Sequence, residues 1–424
     1  FDLLLRKKIL SKALIAALVI GMTIPVLMAK EGWNDHNRSL RTLSRDTAIN
    51  YLQSCAPNAI LFTNGDNDTF PLWYAQEVEN IRTDVRVVCM SLLNADWFIK
   101  QVRRAAYLSK PVPFTIPEEK LEGEKMNFVI LDHSNAQAVN LKQAMAVAAS
   151  NDPATKIDND GELLDVLPSG SFYMDVDSLA VAKNKVVTEK DNARLAKRIS
   201  WDLGNRNYIF KNEMMVLDLI ANNTWERPVY FTSNANDVCA GLKKYLRLEG
   251  LTYRLVPIRQ NEQEEMEGGQ VNTELMYSNL MTKFRWGGMN KKGVNLDENC
   301  LRMPMNLRMQ MGILANALLR EGKTQKATEV LNKCLYEMPE DTVPYDATLY
   351  NICRLYYELG DTASANKISK KLFDIFEGDL GIYMVQDPKH KSAYRAEISQ
   401  ATEILKSLTG IAQQYKQRDL IDDY

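Results

Sequence analysis

The alternation of hydrophobic and polar positions divides the chain into three stretches. Ala13 to Ala29 (ALIAALVIGMTIPVLMA) carries no charge and no amphipathic stripe. With Ile9 and Leu10 ahead of it, the run reaches the roughly 20 residues that cross a bilayer core, so it reads as a transmembrane helix. In the second stretch, short apolar runs of strand length alternate with helical spacing. Ala59 to Thr63 (AILFT), Val85 to Ser91 (VRVVCMS), Pro228 to Thr232 (PVYFT) and Leu251 to Pro257 read as strands. Helices are expected from near Asn37 to Ser54, over Phe70 to Glu79, Ala95 to Ala106 and Glu213 to Ala221, and around Leu242 to Leu248. Strand, helix, strand in short succession predicts an α/β domain, a Rossmann-like parallel sheet wrapped by helices. Pro111 to Asn192 is less regular and reads as an insertion, with a strand at Asn127 to Leu131, a helix at Leu141 to Ala149 and an edge strand at Ser171 to Asp177.

From Asn306 onward the spacing is helical throughout, and it repeats. Gly322 and Ala327 recur as Gly360 and Ala365, a shift of 38 positions that also pairs Leu314 with Ile352, Ala315 with Cys353 and Leu318 with Tyr356. A large residue, a small neighbour, a glycine at the turn and a small residue five later make a tetratricopeptide-like pattern of stacked helix pairs. Pro339 closes the first unit, Glu377 stands in its place in the second, and the loop Asp341 to Asp346 absorbs the extra length. A helix over Ala393 to Lys416 would cap the stack. The expected organisation is a membrane helix with a basic flank (1–30), an α/β domain (31–300) with its insertion at 111–192, and an all-α repeat domain (301–424).

Charge orients the span. Arg6, Lys7, Lys8 and Lys12 precede it and only Lys30 follows closely, which puts the N-terminal end in the cytoplasm and the body on the extracytoplasmic, periplasmic side of the inner membrane. A cleaved signal peptide is the first rival, although Leu27 and Ala29 make a poor small-x-small site; a buried soluble helix is the second. Phe1 stands where a starting Met is expected, so Phe1 to Leu5 is read as a loop or the end of an earlier membrane segment. Lys and Arg number 52 against 54 acids, a formal charge of −2, which leaves no basic excess for nucleic acid. The cysteines (Cys55, Cys89, Cys239, Cys300, Cys334, Cys353) are scattered without a CxxC or a nearby His, so neither a metal nor a redox motif is signalled. Cys334 and Cys353 fall on facing helices, where a disulfide and packing as small buried hydrophobes both remain open.

The most suggestive chemistry lies at Asn64, Gly65, Asp66, Asn67, Asp68 and Thr69, where the first strand meets its helix. Ligands of open parallel sheets gather at that edge. Asp66 and Asp68 can accept hydrogen bonds from sugar hydroxyls or help bind a divalent cation; Trp73 and Trp97 can offer a stacking face. The plain alternative is a turn with Asp68 or Thr69 as helix cap and Pro71 in the first turn. A second loop, Asn222 to Pro228, brings Trp225 to line a cleft and Arg227 to grip phosphate, though it should sit at the opposite sheet edge. His36, beside Asp35, is a general-base candidate without a nucleophile near it in sequence. No GxxxxGKS or GxGxxG loop is present, and no cofactor is expected beyond that cation.

Several stretches together, GWNDHNRS, AINYLQSCAPNAILFTNGDNDTFPLWYAQEVENIRTDVRVVCMSLLNADW, ANNTWERPVYFTSN, LEGLTYRLVPI and MTKFRWGG, resemble a family of bacterial membrane proteins of unknown function (number 2723). That family is similar to protein O-mannosyltransferases of the GT-C type, and the resemblance runs from about Trp33 to Leu318. It implies a multi-helix membrane enzyme that moves a sugar from a polyprenyl-phosphate carrier to an exported protein. The catalytic acid of such enzymes lies in an outer loop near the start of the membrane domain, so no catalytic residue transfers to this chain. What transfers is a C-terminal portion carrying Asp66, Asp68, Trp73, Trp225 and Arg227. Expected partners are the bilayer and, through the repeats, exported acceptor proteins or other membrane-complex subunits. A non-catalytic, membrane-tethered scaffold is the alternative, and a hydrolase pairing Asp66 with Asp68 is a third reading.

Overall fold

The computed structural model describes every residue except 1, 124, 135–136, 234–239, 267 and 424; Phe1 and Cys239 therefore lie outside the described residues. The chain opens with α1 (Asp2–Glu31), a single helix that keeps Pro25 within it. Its segment Lys12–Glu31 has a mean hydropathy of 2.1 and none of it is buried, so it is long and apolar enough to cross a membrane. After the short α2 (Trp33–His36), α3 (Leu43–Ser54) begins later than Asn37. Asn37 turns its side-chain oxygen to the Ser39 backbone N–H and hydroxyl, a local bond that competes with helix. The first turn of α3 is fixed instead by Asp46, which accepts from Thr42 Oγ1 and the Gly287 N–H.

The body follows the expected alternation: β1 (Ile60–Thr63), α4 (Asp66–Glu77), β2 (Arg86–Cys89) and α5 (Asp96–Val102). The irregular segment holds β3 (Phe128–Leu131), β4 (Val139–Asn140), α6 (Leu141–Ala149), β5 (Lys156–Asn159), β6 (Glu162–Leu167), β7 (Ser171–Asp175) and α7 (Ser178–Lys183). Strands β8 (Arg198–Asp202) and β9 (Tyr208–Phe210) complete its two small sheets, ordered β5-β6-β3-β9 and β4-β7-β8. Ser171–Asp175 is thus a central strand, not an edge, because β4 and β8 pair with it on both sides. The chain returns through α8 (Lys211–Asn223), β10 (Val229–Thr232), β11 (Leu246–Leu248), β12 (Thr252–Leu255), α9 (Glu262–Met266), β13 (Gln270–Val271) and α10 (Thr273–Ser278).

The main sheet has the order β13-β11-β12-β10-β1-β2 and is mixed rather than parallel. Strand β1 lies parallel to both β2 and β10, but β12 runs antiparallel to β10 and to β11. The cause is a hairpin where a crossover helix was expected. Leu242–Tyr245 makes one 3-10 turn and the chain goes straight into β11, then reverses through Gly250. Gly250 sits at φ +111°, and a Cβ there would meet Ser54 Oγ at 2.2 Å. Every residue of β1, β2 and β10 is buried, as both faces of the sheet are covered. Helices α3 and α4 pack together on one side, while α8 packs with α6. Phe62 and Phe231 stack across β1 and β10 with centroids 5.2 Å apart, worth about 1 kcal/mol beyond their buried area.

The C-terminal region is helical from Glu298 rather than Asn306. It comprises α11 (Glu298–Arg320), α12 (Thr324–Glu337), α13 (Thr348–Glu358), α14 (Thr362–Met384), α15 (Pro388–Ala393), α16 (Arg395–Gln414) and α17 (Arg418–Asp423). The α11/α12 and α13/α14 pairs turn at Gly322 and Gly360, at φ +72° and +81°, where glycine is free of the Cβ penalty. Cys334 and Cys353 are buried free thiols, and Cys353 Sγ donates to the Ala365 carbonyl.

Candidate functional site

Strand β1 leads through α4 to β2 on one flank, while the later crossover through α8 delivers β10 to the other flank. Adjacent parallel strands whose connections depart in opposite directions leave a crevice beyond their carboxyl ends, where open α/β sheets place ligands. By that rule the ligand edge lies above Thr63 and Thr232, the buried last residues of β1 and β10.

Its first wall is the β1–α4 turn. Gly65 adopts φ +142°, ψ −175°, a conformation that in effect only glycine tolerates. Helix α4 therefore starts at Asp66, four residues before the expected Phe70, and Pro71 falls inside it. Neither Asp68 nor Thr69 is the cap. The Thr69 N–H bonds the Gly65 carbonyl in the helical manner, and its hydroxyl reaches the same oxygen at 2.6 Å and Thr63 Oγ1 at 2.6 Å. Asp66 and Asp68 occupy the first turn, where the exposed N–H groups favour negative charge. Asp66, Asn64 and Asn67 are exposed. Asp68 is half-buried, and its Oδ2 accepts from Thr232 Oγ1 at 3.0 Å, a bond that spans the crevice.

Three further segments supply the floor. Tyr51 of α3 and Ser233 after β10 share a hydrogen bond of 2.9 Å, and Asn306 Nδ2 of α11 donates to Ser233 Oγ at 2.7 Å. One turn further on, Gln310 Nε2 donates to Tyr253 Oη and to Asn306 Oδ1, while its buried Oε1 has no hydrogen-bond partner among the described residues. Burial raises the Tyr51 phenol well above its usual range and the Asp68 charge adds to it, so Tyr51 stays a neutral donor and acceptor. A carboxylate, hydroxyls and amides thus meet at this edge and bond to one another. Tyr51, Ser233, Asn306 and Gln310 were not singled out in the sequence, because they come from separate segments that only their mutual hydrogen bonds join.

An aromatic strip adjoins the turn. Asp66, Phe70 and Trp73 stand at i, i+4 and i+7 on one face of α4. Phe70 and Trp73 are 5.6 Å apart by ring centroids, Trp73 and Phe98 6.2 Å, and Phe98 and Trp97 5.6 Å. Phe70 and Trp97 are exposed and Trp73 is half-buried. Behind Trp73 lies a cavity of about 60 Å³, lined by Gln76, Arg86 and Tyr107 among others, with room for water rather than for a sugar ring.

The second loop lies elsewhere. Arg227 is buried at the opposite sheet edge, with its side-chain N–H groups directed to the carbonyls of Asn58, Ala59, Lys110 and Pro111 and to Ser109 Oγ. Burial, then the neighbouring Arg86 charge, brings its guanidinium down to about 10. In this arrangement Arg227 staples three segments instead of reaching toward phosphate. Trp225 is buried too, at φ +61°, and its carbonyl accepts from Asn184 Nδ2. The exposed His36 turns Nδ1 to the Gly32 carbonyl at 2.8 Å. Among the described residues no group of three or more His, Cys, Asp or Glu side chains converges, so a cation at Asp66 and Asp68 would draw its remaining ligands from backbone oxygen or water.

The family model described as TMEM260-associated domain 2 matches residues 44–275, more than half of the chain. The matched span holds the whole crevice turn, the irregular segment and the Arg227 loop. It stops short of Asn306 and Gln310. No curated protein and no solved structure matches.

Proposed function

The chain belongs to the TMEM260-associated domain 2 family, and from that membership we propose that it is the extracytoplasmic portion of a membrane glycosyltransferase-like protein, related to protein O-mannosyltransferases. In this reading the crevice between β1 and β10 receives a hydroxyl-rich group, a sugar on the acceptor protein or glycan. The observation that carries it is the crevice-spanning bond from Thr232 to Asp68 beside the Phe70–Trp73–Trp97 strip. Carboxylate and amide groups satisfy hydroxyls, and an aromatic face covers the apolar side of a sugar ring. Sugar transfer from a polyprenyl-phosphate donor belongs to the membrane part implied by the resemblance, and this portion handles acceptor. The basic residues ahead of the span support the extracytoplasmic side.

The test is equilibrium binding of mannosylated and unmodified peptides to the full chain in nanodiscs. Wild type should prefer the mannosylated peptide, and Asp68→Asn and Trp73→Ala should each lose roughly tenfold, the weight of one buried hydrogen bond to a charged group or of one aromatic contact. Equal affinity for both peptides, or variants that bind like wild type, would sink the proposal. Loss of binding on adding a chelator in wild type, and insensitivity to it in Asp66→Asn, would assign the cation to this turn.

A second reading, a tetratricopeptide-like scaffold, is favoured by the exposed Ile382, Met384 and Val385 around the end of α14. Such stacks commonly present binding surfaces. Deleting Ala393 to Tyr424 should abolish partner capture under this reading and leave glycopeptide binding intact under the first.

A further inference from the structure

Arg86 carries a charge into the body without an acid to meet it. It opens β2, is only 7% exposed, and pairs through its backbone with Ile60 of β1. Its Nη2 donates to the carbonyls of Gln101 and Arg104, at 3.0 and 2.6 Å, where α5 ends. Among the described residues it has no carboxylate partner, and burial alone pulls its guanidinium below the usual value. Arg227 stands close by: its Nη2 reaches the Ala59 carbonyl, which also accepts from the Arg86 N–H, and Ser109 Oγ. Its bonds too go only to carbonyls and a hydroxyl, and the neighbouring Glu226 is exposed and lies 4.0 Å from Lys110. Buried charges are ordinarily paired, because taking an ion out of water is expensive. The carbonyl end of α5 offsets roughly half a charge, against two guanidiniums.

The cavity behind Trp73 opens onto this corner, since Arg86 and Ser109 both line it. Its volume of about 60 Å³ is several times the ~10–15 Å³ that admits one water, which is room for a group of a few heavy atoms. Thr83 and Gln101 line it as well, and neither side chain has a hydrogen-bond partner among the described residues. Val87 and Phe98 supply apolar walls, which strengthen any charge interaction inside. The acid of the lining, Glu77, is exposed at the rim and accepts from Tyr107 Oη rather than from Arg86. A guanidinium fork, a hydroxyl and an amide around one small volume can all donate, and an oxyanion can accept from each of them.

We propose that this cavity binds a small oxyanion, a phosphate or carboxylate group, with Arg86 as its charge partner and Thr83 and Gln101 as further donors. Arg227 adds positive charge from behind Ser109 without touching the ion. Arg86 is the first residue of β2 and sits level with Ile60, at the sheet edge away from Thr63 and Thr232. The proposal is therefore independent of what meets that other edge.

The test is isothermal titration of the full chain in phosphatidylcholine nanodiscs with sodium phosphate and, separately, sodium acetate, with sodium chloride adjusted to hold ionic strength constant. Empty discs supply the background. Wild type should bind at least one of the two oxyanions saturably at a single site. Arg86→Gln should weaken that binding roughly tenfold or more, the weight of a hydrogen bond to a charged group. Thr83→Val and Gln101→Leu, at less buried positions, should each weaken it several-fold, and they decide the matter if Arg86→Gln fails to fold. Glu77→Gln should tighten binding, because it removes the like charge at the rim; a gain of that sign does not come from damage to the fold. Glycerol phosphate is the third probe: it binds where the ligand is the end of a larger molecule and is excluded where the ligand is the free ion, and both results support the site. No saturable binding of phosphate or acetate overturns the proposal, as does an equal response to chloride. So does binding unchanged in Arg86→Gln, or unchanged in both Thr83→Val and Gln101→Leu.

Discussion

Arg227→Ala separates a structural staple from a ligand grip. The wild-type side chain supplies hydrogen bonds to the Asn58 carbonyl at 2.9 Å, Lys110 at 3.0 Å and Pro111 at 3.1 Å, besides Ala59 and Ser109. Ala59 keeps a second donor in the Arg86 N–H, and Ser109 Oγ can turn to the Lys110 carbonyl, where it already lies at 3.4 Å. The acute loss falls on the Asn58 and Pro111 carbonyls. At about 1–3 kcal/mol for each buried group left unsatisfied, truncation costs roughly 2–6 kcal/mol, and water entering the emptied volume favours the lower half. A working value of about 3 kcal/mol means roughly hundredfold faster amide exchange in β1 and β10, the strands that bracket this loop. Arg227→Lys keeps a charge but cannot fork, so it should recover only part of the protection. Exchange within about threefold of wild type would mean that the bonds carry less than ~1 kcal/mol, and the staple argument would fail.

Gly65→Ala should lower stability by about 1–3 kcal/mol, although a Cβ there meets nothing within 4 Å, because φ +142° itself is the cost. Gly312→Ala, in α11 with equal room, should raise stability by up to ~1 kcal/mol; a melting series in which both variants shift the same way would refute the conformational assignment. Glu274 is held at about 2 by Lys323 and then Lys326, below its usual 4.5. Its folded value is depressed, so its contribution is present above about pH 4.5 and disappears as pH falls toward 2. Since the side chain is about half exposed, solvent screening keeps the effect below ~1 kcal/mol. Carboxyl NMR should show the low titration, and α10 amides should loosen in that window; a titration near 4.5 would refute the pairing.

Strand positions were legible because AILFT and PVYFT are apolar runs bounded by turn-forming residues, and burial on both faces demands such runs. The β11 hairpin was not, since LKKYLRL has helical spacing and only the approach of Gly250 to Ser54 decides for a reversal. The start of α4 was missed for a similar reason: the Gly65 backbone, not a capping side chain, opens the helix. Within the site, Asp66, Asp68 and Trp73 were visible because they share one motif. Tyr51, Ser233 and Asn306 come from three distant segments, and only their mutual hydrogen bonds identify them. The role of Arg227 was hidden because its partners at 58, 110 and 111 are set by tertiary packing rather than by local spacing.

The site also bears on how the helical region relates to the α/β body. Asn306 and Gln310 of α11 complete the crevice floor, although both lie beyond the span matched by the family model. The two parts are tied elsewhere as well: Arg41 to Asp297 at 2.7 Å, Thr273 to Glu321 at 2.9 Å, and Asn290 to Glu337 at 2.9 Å. A displacement of α11 by even 1 Å would stretch the 2.7 Å bond from Asn306 to Ser233 past the usual hydrogen-bond length. A partner that shifted α11 would therefore alter this polar floor. Were both proposed readings to hold, α11 would be the element shared by acceptor handling and partner docking.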